Sequence, residues 1–299
     1  MNRWPKRLAV ALLMVACVAA ALALGGRWLG ERKLRRTVAV PAALLAVTAD
    51  PQRIEQGRYL FNTRGCAECH GEHGAGKTVI LDGAMRIDSP NISPGLHSVT
   101  RNYQAPDWVR TVRHGVKPNG TPVMIMPSED YNRLTDADMA ALLAYLAQLP
   151  PVPGTPAVVN LPLPVKALYG IGALKDAAEK IDHTLPPPLP VAADVSPAHG
   201  AYVANTCMGC HGPQLAGGRI PGAPPSWPPT ANLTPGKGSV MPRYRTVDLF
   251  MASMRSGKRP DGSAISEVMP FGSFKHMNDT DLRALYAYLQ TLPPREGGQ

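Results

Sequence analysis

Cysteine is scarce in this 299-residue chain. There are five, and four of them fall in two pentapeptides, CAECH at 66–70 and CMGCH at 207–211. The fifth, Cys17, sits in an apolar N-terminal run. A disulfide scaffold scatters its cysteines to staple loops, so this chain is not one. Aromatic residues are also few, at 6%. The basic residues of the body form no stripe interleaved with them, which argues against a nucleic-acid partner. No sustained apolar–polar alternation marks strands, so the expected class is all-α. Proline (32) and glycine (28) are plentiful instead, which implies small helical units joined by stiff, irregular segments.

The net charge of +9 is unevenly spread. Arg3, Lys6, Arg7, Arg27, Arg32, Lys33, Arg35 and Arg36 stand against the lone Glu31 in residues 1–36, so most of the excess lies there. Between the basic clusters runs LAVALLMVACVAAALAL, residues 8–24. A transmembrane helix needs roughly 17–25 apolar residues, and this run meets the lower end. A cleaved signal peptide has a shorter apolar core of about 7–15 residues and a small-residue site, for which Ala21-Leu22-Ala23 is a mediocre match. A lipoprotein site at Val15-Ala16-Cys17 fits less well, because the apolar run continues past the cysteine. A retained single-span anchor is the preferred reading, and all three readings export the rest of the chain.

The chain is written twice. GRYLFNT (57–63) is answered by GAYVANT (200–206), PNISPG (90–95) by ANLTPG (231–236), and VRHGVKPNG (112–120) by MRSGKRPDG (254–262). MPSEDYNRLTDADMAALLAYLAQLPP, starting at 126, is answered by MPFGSFKHMNDTDLRALYAYLQTLPP, starting at 269. Order and offset persist across all the segments, so a whole domain is duplicated. Asp50-Pro51 and Ser196-Pro197 read as helix starts leading into the pentapeptides. Thr135 with Asp138, and Asn278 with Asp281, read as caps of a closing helix. Met139, Leu142, Leu143 and Leu146, with Leu282, Leu285 and Leu289, form its apolar stripe. Between the copies, eleven prolines in residues 150–197 surround a possible helix near 165–181. Such a linker is either an ordered strap or a tether.

C-x-x-C-H is the attachment signature for c-type haem. Spacing of three puts both thiols on one side of a helical turn, and the adjacent histidine projects toward the iron. Zinc on Cys66, Cys69, Cys207 and Cys210 would leave His70 and His211 unexplained. A thioredoxin-like pair would want a strand before the helix. The expectation is therefore two covalently bound haem c groups, on Cys66, Cys69 and His70 and on Cys207, Cys210 and His211. The sixth iron ligand sets the chemistry: methionine favours electron transfer, and an open position favours peroxide or oxygen chemistry. Of twelve methionines, only Met126 and Met269 share an aligned position followed by proline. They are the expected axial partners of His70 and His211. Met124 has no counterpart, and Met277 aligns with Leu134 as a core residue. The remaining six histidines have no aligned histidine and read as surface or hydrogen-bonding residues. PNISPG and ANLTPG read as turns, either along the haem edge or purely structural. The first copy carries an extra Arg64-Gly65 before Cys66, so its haem edge is expected to differ from that of the second.

On these motifs each half resembles a class I cytochrome c domain. NISPG and NLTPG, the later PNG and PDG, the Met-Pro pair and the closing AYL-x-x-LPP resemble the cytochrome subunits of membrane-bound bacterial alcohol, gluconate and aldehyde dehydrogenases. The resemblance implies two tandem cytochrome c domains after an N-terminal transmembrane helix or signal segment. The expected segments are residues 1–36 (anchor or signal), 37–49 (tether), 50–151 (first domain), 152–192 (Pro-rich linker) and 193–299 (second domain). It implies a non-catalytic subunit in the cytoplasmic (inner) membrane, its haem domains facing the periplasm. Electrons would come from a periplasmic flavo-, quino- or molybdo-dehydrogenase and pass to quinone, a cytochrome or a terminal oxidase. Those subunits typically carry three haems and this chain has two motifs. A di-haem peroxidase is the alternative, and it would need one open haem position with an acid–base residue above it. A haem sensor would need an output domain, which the sequence does not display.

Overall fold

The computed structural model describes residues 3–41 and 44–298. Residues 42 and 43 of the expected tether lie outside the described residues, as do Met1, Asn2 and Gln299 at the ends of the first and last expected segments. Helix α1 (Trp4–Leu34) is a single helix of 31 residues, about 46 Å long at 1.5 Å per residue. Its apolar stretch has a mean hydropathy of 2.7 and is entirely unburied, so it is long and apolar enough to cross a bilayer.

The first copy holds α2 (Pro51–Thr63), α3 (Cys66–His70), α4 (Ala105–His114), α5 (Ser128–Tyr131) and α6 (Asp136–Leu146). The segment between the copies supplies α7 (Leu163–Gly170) and α8 (Ala177–Lys180). The second copy holds α9 (Pro197–His211), α10 (Val247–Ser256), α11 (Phe271–Phe274) and α12 (Asp279–Thr291). Four side chains cap the opening and closing helices. Asp50 accepts from Arg53 N, Ser196 from His199 N, Thr135 from Asp138 N and Asn278 from Asp281 N. Each satisfies an N–H that has no partner within its helix.

In each copy the opening helix crosses the closing helix, α2 on α6 and α9 on α12. The crossing is close enough to demand glycine. A Cβ on Gly57 would strike the Ala141 carbonyl, and one on Gly200 the Ala284 carbonyl. Around these crossings lie two separate cores. Leu60, Phe61, Val109, Met139, Leu142 and Leu146 build the first; Val203, Phe250, Met277, Leu282, Leu285 and Leu289 build the second.

The chain is mostly helical but departs from the all-α expectation in one place. Strands β1 (Thr78–Asp82), β2 (Met85–Asp88) and β3 (Val158–Asn160) form an antiparallel sheet in the order β1-β2-β3. Strands this short show no alternation to read, and the third comes from outside the repeat. Ile80, Met85, Ile87 and Leu161 give the sheet its own small core, against which Trp227 of the second copy packs.

The segment between the copies is an ordered strap. It contributes β3, α7 and α8, and it grips the end of α1. The Arg36 guanidinium makes two hydrogen bonds to the Asp176 carboxylate, at 2.6 and 2.9 Å. Tyr169, fully buried, donates to the same carboxylate.

The two copies meet reciprocally. Tyr59 donates to Asp281 Oδ2 at 2.7 Å and accepts from Asn278 N at 3.2 Å. Tyr202, its repeat equivalent, donates to Asp138 Oδ2 and accepts from Thr135 N at 3.3 Å. Each half thus supplies a tyrosine to the capped start of the other half's closing helix, as an isologous dimer would.

Candidate functional site

CAECH forms the one-turn helix α3, and CMGCH forms the last turns of α9. His70 Nδ1 lies 2.9 Å from Pro90 O, and His211 Nδ1 lies 2.8 Å from Ala231 O. A carbonyl oxygen can only accept, so Nδ1 carries the proton in both rings and Nε2 keeps its lone pair. Burial, partly opposed by these hydrogen bonds, pushes both histidines below the usual imidazole range. The neutral, ligating form is therefore the favoured one.

The accepting carbonyls belong to the first residues of PNISPG and ANLTPG. Asn91 Nδ2 donates to Leu96 O and Val152 O, both at 2.9 Å, and its side-chain oxygen accepts from Ser93 N. Asn232 does the same with Lys237 O, Arg295 O and Thr234 N. Each segment is latched to the chain beyond the closing helix. The turn is structural, and the same rigidity aims a carbonyl at the histidine.

A cavity of about 490 Å³ opens in the first copy, with Cys66, Cys69, His70 and Met126 on its walls. Phe61, Trp108, Leu142 and Leu146 make it apolar. Met124 also lines it. One wall was not legible from the repeat: Val79, Ile87 and Val159 of the sheet and Leu34 of α1 line the cavity too. Nothing in the second copy aligns with these strands, so self-comparison carried no signal for them. In the second copy Met269 packs against the core that contains Cys207, and in the first copy Met126 and Cys66 both pack against the core.

Burial pushes the Cys66 and Cys207 thiols up to about 12 and Cys210 up to about 11. The two cysteine pairs do not converge. Among the described residues no three His, Cys, Asp or Glu side chains come together as a set of ion ligands. The other histidines are accounted for locally. His73, His97 and His276 are exposed, His114 pairs with His183 at 3.1 Å, and His199 bonds Asp281 at 2.7 Å.

The two pentapeptides lie against the opposite halves. Gly209 of CMGCH packs on the Asp130 carboxylate of α5, and the Glu68 carboxylate of CAECH packs on Gly272 of α11. Helices α5 and α11 directly follow Met126-Pro127 and Met269-Pro270. Burial, with the neighbouring Glu129 charge, raises the Asp130 carboxyl to about 7.

Symmetry fails at Arg64-Gly65. Helix α9 runs unbroken into CMGCH, whereas α2 stops at Thr63 and Gly65, at φ 84°, forces a restart. The break buries Arg64 at the interface. Its guanidinium lies 3.5 Å from Asp281, which also receives His199 and Tyr59.

The sequence profile described as cytochrome c matches residues 54–150 and 197–293. The chain belongs to the cytochrome c family. It is 28% identical to the fructose dehydrogenase cytochrome subunit of Gluconobacter japonicus, over 87% of this chain and 57% of that protein. It is 26% identical to the gluconate 2-dehydrogenase cytochrome c subunit of Pantoea cypripedii, over 86% and 64%. A diheme cytochrome c-type protein of Cereibacter sphaeroides is 26% identical over 96% and 97%. The chain thus spans less than two thirds of the two dehydrogenase subunits. Cytochrome c domains imply covalently bound haem c. The residues present fit that group: each turn carries two thiols beside a neutral imidazole with Nε2 free, and the first copy adds an apolar cavity with a thioether on its wall.

Proposed function

We propose that the chain is a membrane-anchored di-haem cytochrome c that passes electrons from a periplasmic dehydrogenase to the respiratory chain. Cys66, Cys69, Cys207 and Cys210 would hold the two porphyrins, with His70 and Met126 serving as iron ligands in the first copy and His211 and Met269 in the second. Bound haem supplies a one-electron iron couple, whose potential a methionine ligand raises. The protein's part is to orient and to insulate. Pro90 O and Ala231 O fix the two imidazoles, the apolar walls limit water, and no side chain acts as acid, base or nucleophile.

The observation that carries this reading is the mutual packing of each pentapeptide on the turn after the other half's Met-Pro. It supports two redox sites adjacent across one interface, so that an electron entering one leaves by the other. The relatives' names support a dehydrogenase as donor; the acceptor in this reading is a quinone, a cytochrome or a terminal oxidase. Helix α1 supports retention in the cytoplasmic membrane, since it runs unbroken through Ala21-Leu22-Ala23 into residues buried against the strap; covalent haem attachment of this type occurs outside that membrane, which supports haem domains in the periplasm.

Spectroscopy of the full chain tests the assignment. Met126→Ala and Met269→Ala should each remove about half of the methionine-to-ferric charge-transfer absorbance. An unchanged band in either variant refutes that ligand. High-spin ferric haem with peroxide turnover in the unaltered protein refutes electron transfer as the function.

A further inference from the structure

Helix α7 presents an apolar stripe that no other element among the described residues covers. Leu168 is 44% exposed and Ile171, its C-terminal cap, 67%. Pro164 stands exposed one turn before Leu168, completing an i, i+4, i+7 stripe, and Leu163 flanks it. A core helix would bury such a face.

The place of α7 along α1 says what covers it. The two helices cross at Gly26 and Gly30, both buried. A Cβ on Gly26 would lie 2.7 Å from Ala167 Cβ, and one on Gly170 would lie 2.6 Å from Gly30 N. The apolar run of α1 ends at residue 24, so the crossing sits only about 3–9 Å beyond it along the axis. Trp28, exposed at the same level, is the residue type that marks a membrane–water boundary. The orientation of α7 is fixed as well. Tyr169 points away from the apolar run, its ring 4.4 Å from Lys33 Nζ and its hydroxyl 2.7 Å from Arg36. At about 100° per residue, Pro164 and Ile171 fall on the opposite side of α7 and Leu168 on its flank. The stripe therefore faces the bilayer end of α1. Lys175 is exposed four residues beyond Ile171, and Arg32 is exposed on the outer face of α1; neither has a carboxylate partner among the described residues.

We propose that α7 is a second membrane contact: it lies in the headgroup layer with Leu168 and Ile171 immersed, beside basic residues that meet anionic lipid. An apolar helix face seats itself about 5–10 Å into that boundary. Such a seat turns a single-span tether into a fixed mount. It holds the first copy at the surface, because Leu34 at the end of α1 and Val159 of β3, just before α7 in the strap, both line the first cavity. The proposal rests on the reading of α1 as a retained span.

The test is nitroxide depth measurement on the full haem-loaded chain, Cys17→Ser, in vesicles containing anionic phospholipid. Labels go on Leu168→Cys and Ile171→Cys, with Val15→Cys as the bilayer reference and Asp248→Cys, on the exposed face of α10, as the aqueous one. The expected result is a gain in oxygen collisions and a loss of collisions with a water-soluble nickel chelate at 168 and 171, relative to 248. If 168 and 171 match 248 while 15 reads bilayer interior, the second contact is refuted and the anchor stands. If 15 also reads water, both readings fall. Labels that are aqueous on vesicles and become shielded only when a dehydrogenase is added would make the stripe a protein-docking face, which also refutes the proposal.

Discussion

Replacing Asp281 by alanine should cost far more than replacing its repeat equivalent, Asp138. Both carboxylates receive a tyrosine from the opposite half and both start a closing helix. They differ in what else depends on them. Asp281 is nearly fully buried, and Arg64, 7% exposed, and His199, 5% exposed, also converge on it. Losing Asp138 removes the hydrogen bond from Tyr202 to a charged group, worth about 1.5–3 kcal/mol, and an exposed one from Gln56 that water can replace. Losing Asp281 leaves a buried guanidinium without its counter-charge, a change of about 3–5 kcal/mol. Arg64 Nη1 already has no partner, so there is no second acceptor to fall back on. Guanidinium denaturation of the full haem-loaded chain in detergent, followed by tryptophan fluorescence, should separate the two variants by about 2 kcal/mol, the difference between these costs. Adding Arg64→Met to Asp281→Ala should return the loss toward that of Asp138→Ala. Equal losses for the two aspartates would refute the reasoning, since the Arg64-Gly65 insertion would then carry no energetic consequence.

Gly57→Ala and Gly200→Ala should each destabilise by at least about 1–3 kcal/mol, because the new methyl meets a helix carbonyl and not a flexible side chain; unchanged thermal midpoints would mean that the crossings open freely. Asn91→Ala and Asn232→Ala should each raise amide hydrogen exchange across 90–96 or 231–237, since the latch to Val152 O or Arg295 O is lost; equal protection in variant and parent would refute the latch. Asp130 gives a pH dependence of unusual sign. Its carboxyl holds a proton to about pH 7 in the folded chain and releases it near pH 4 when unfolded. The folded state therefore binds the extra proton between these values, and stability falls as pH rises from 4 to 7, by up to about 4 kcal/mol. Asp130→Asn should flatten that slope, and an unchanged slope would assign it to other groups.

The sequence disclosed what repetition and local chemistry encode. The pentapeptides, the helix caps, the Met-Pro pair and the buried stripe of each closing helix could all be read by laying one half on the other. Three features could not. The sheet has strands of five, four and three residues, too brief for a period to emerge, and one strand lies outside the repeat. The Tyr59–Asp281 and Tyr202–Asp138 contacts join the two halves: the aspartates were legible as helix-start residues, but only the docking of the halves shows that a tyrosine from the other copy meets each. The strap was legible as proline-rich, but proline fixes φ without saying where the chain goes. Its path is set by Asp176 and Tyr169 meeting Arg36, residues more than 130 positions apart.

The reciprocal tyrosines carry a consequence for how the halves depend on each other. Neither half has a fully satisfied start to its closing helix when alone, because the hydroxyl at that point is always lent by the neighbour. The molecule is in effect a symmetric pair whose association no longer depends on how much protein the cell makes. The strap replaces bulk concentration with a fixed local one, in the millimolar range for short connectors. Damage to one half is then felt at the other's helix start, and the two pentapeptide turns share one mechanical fate.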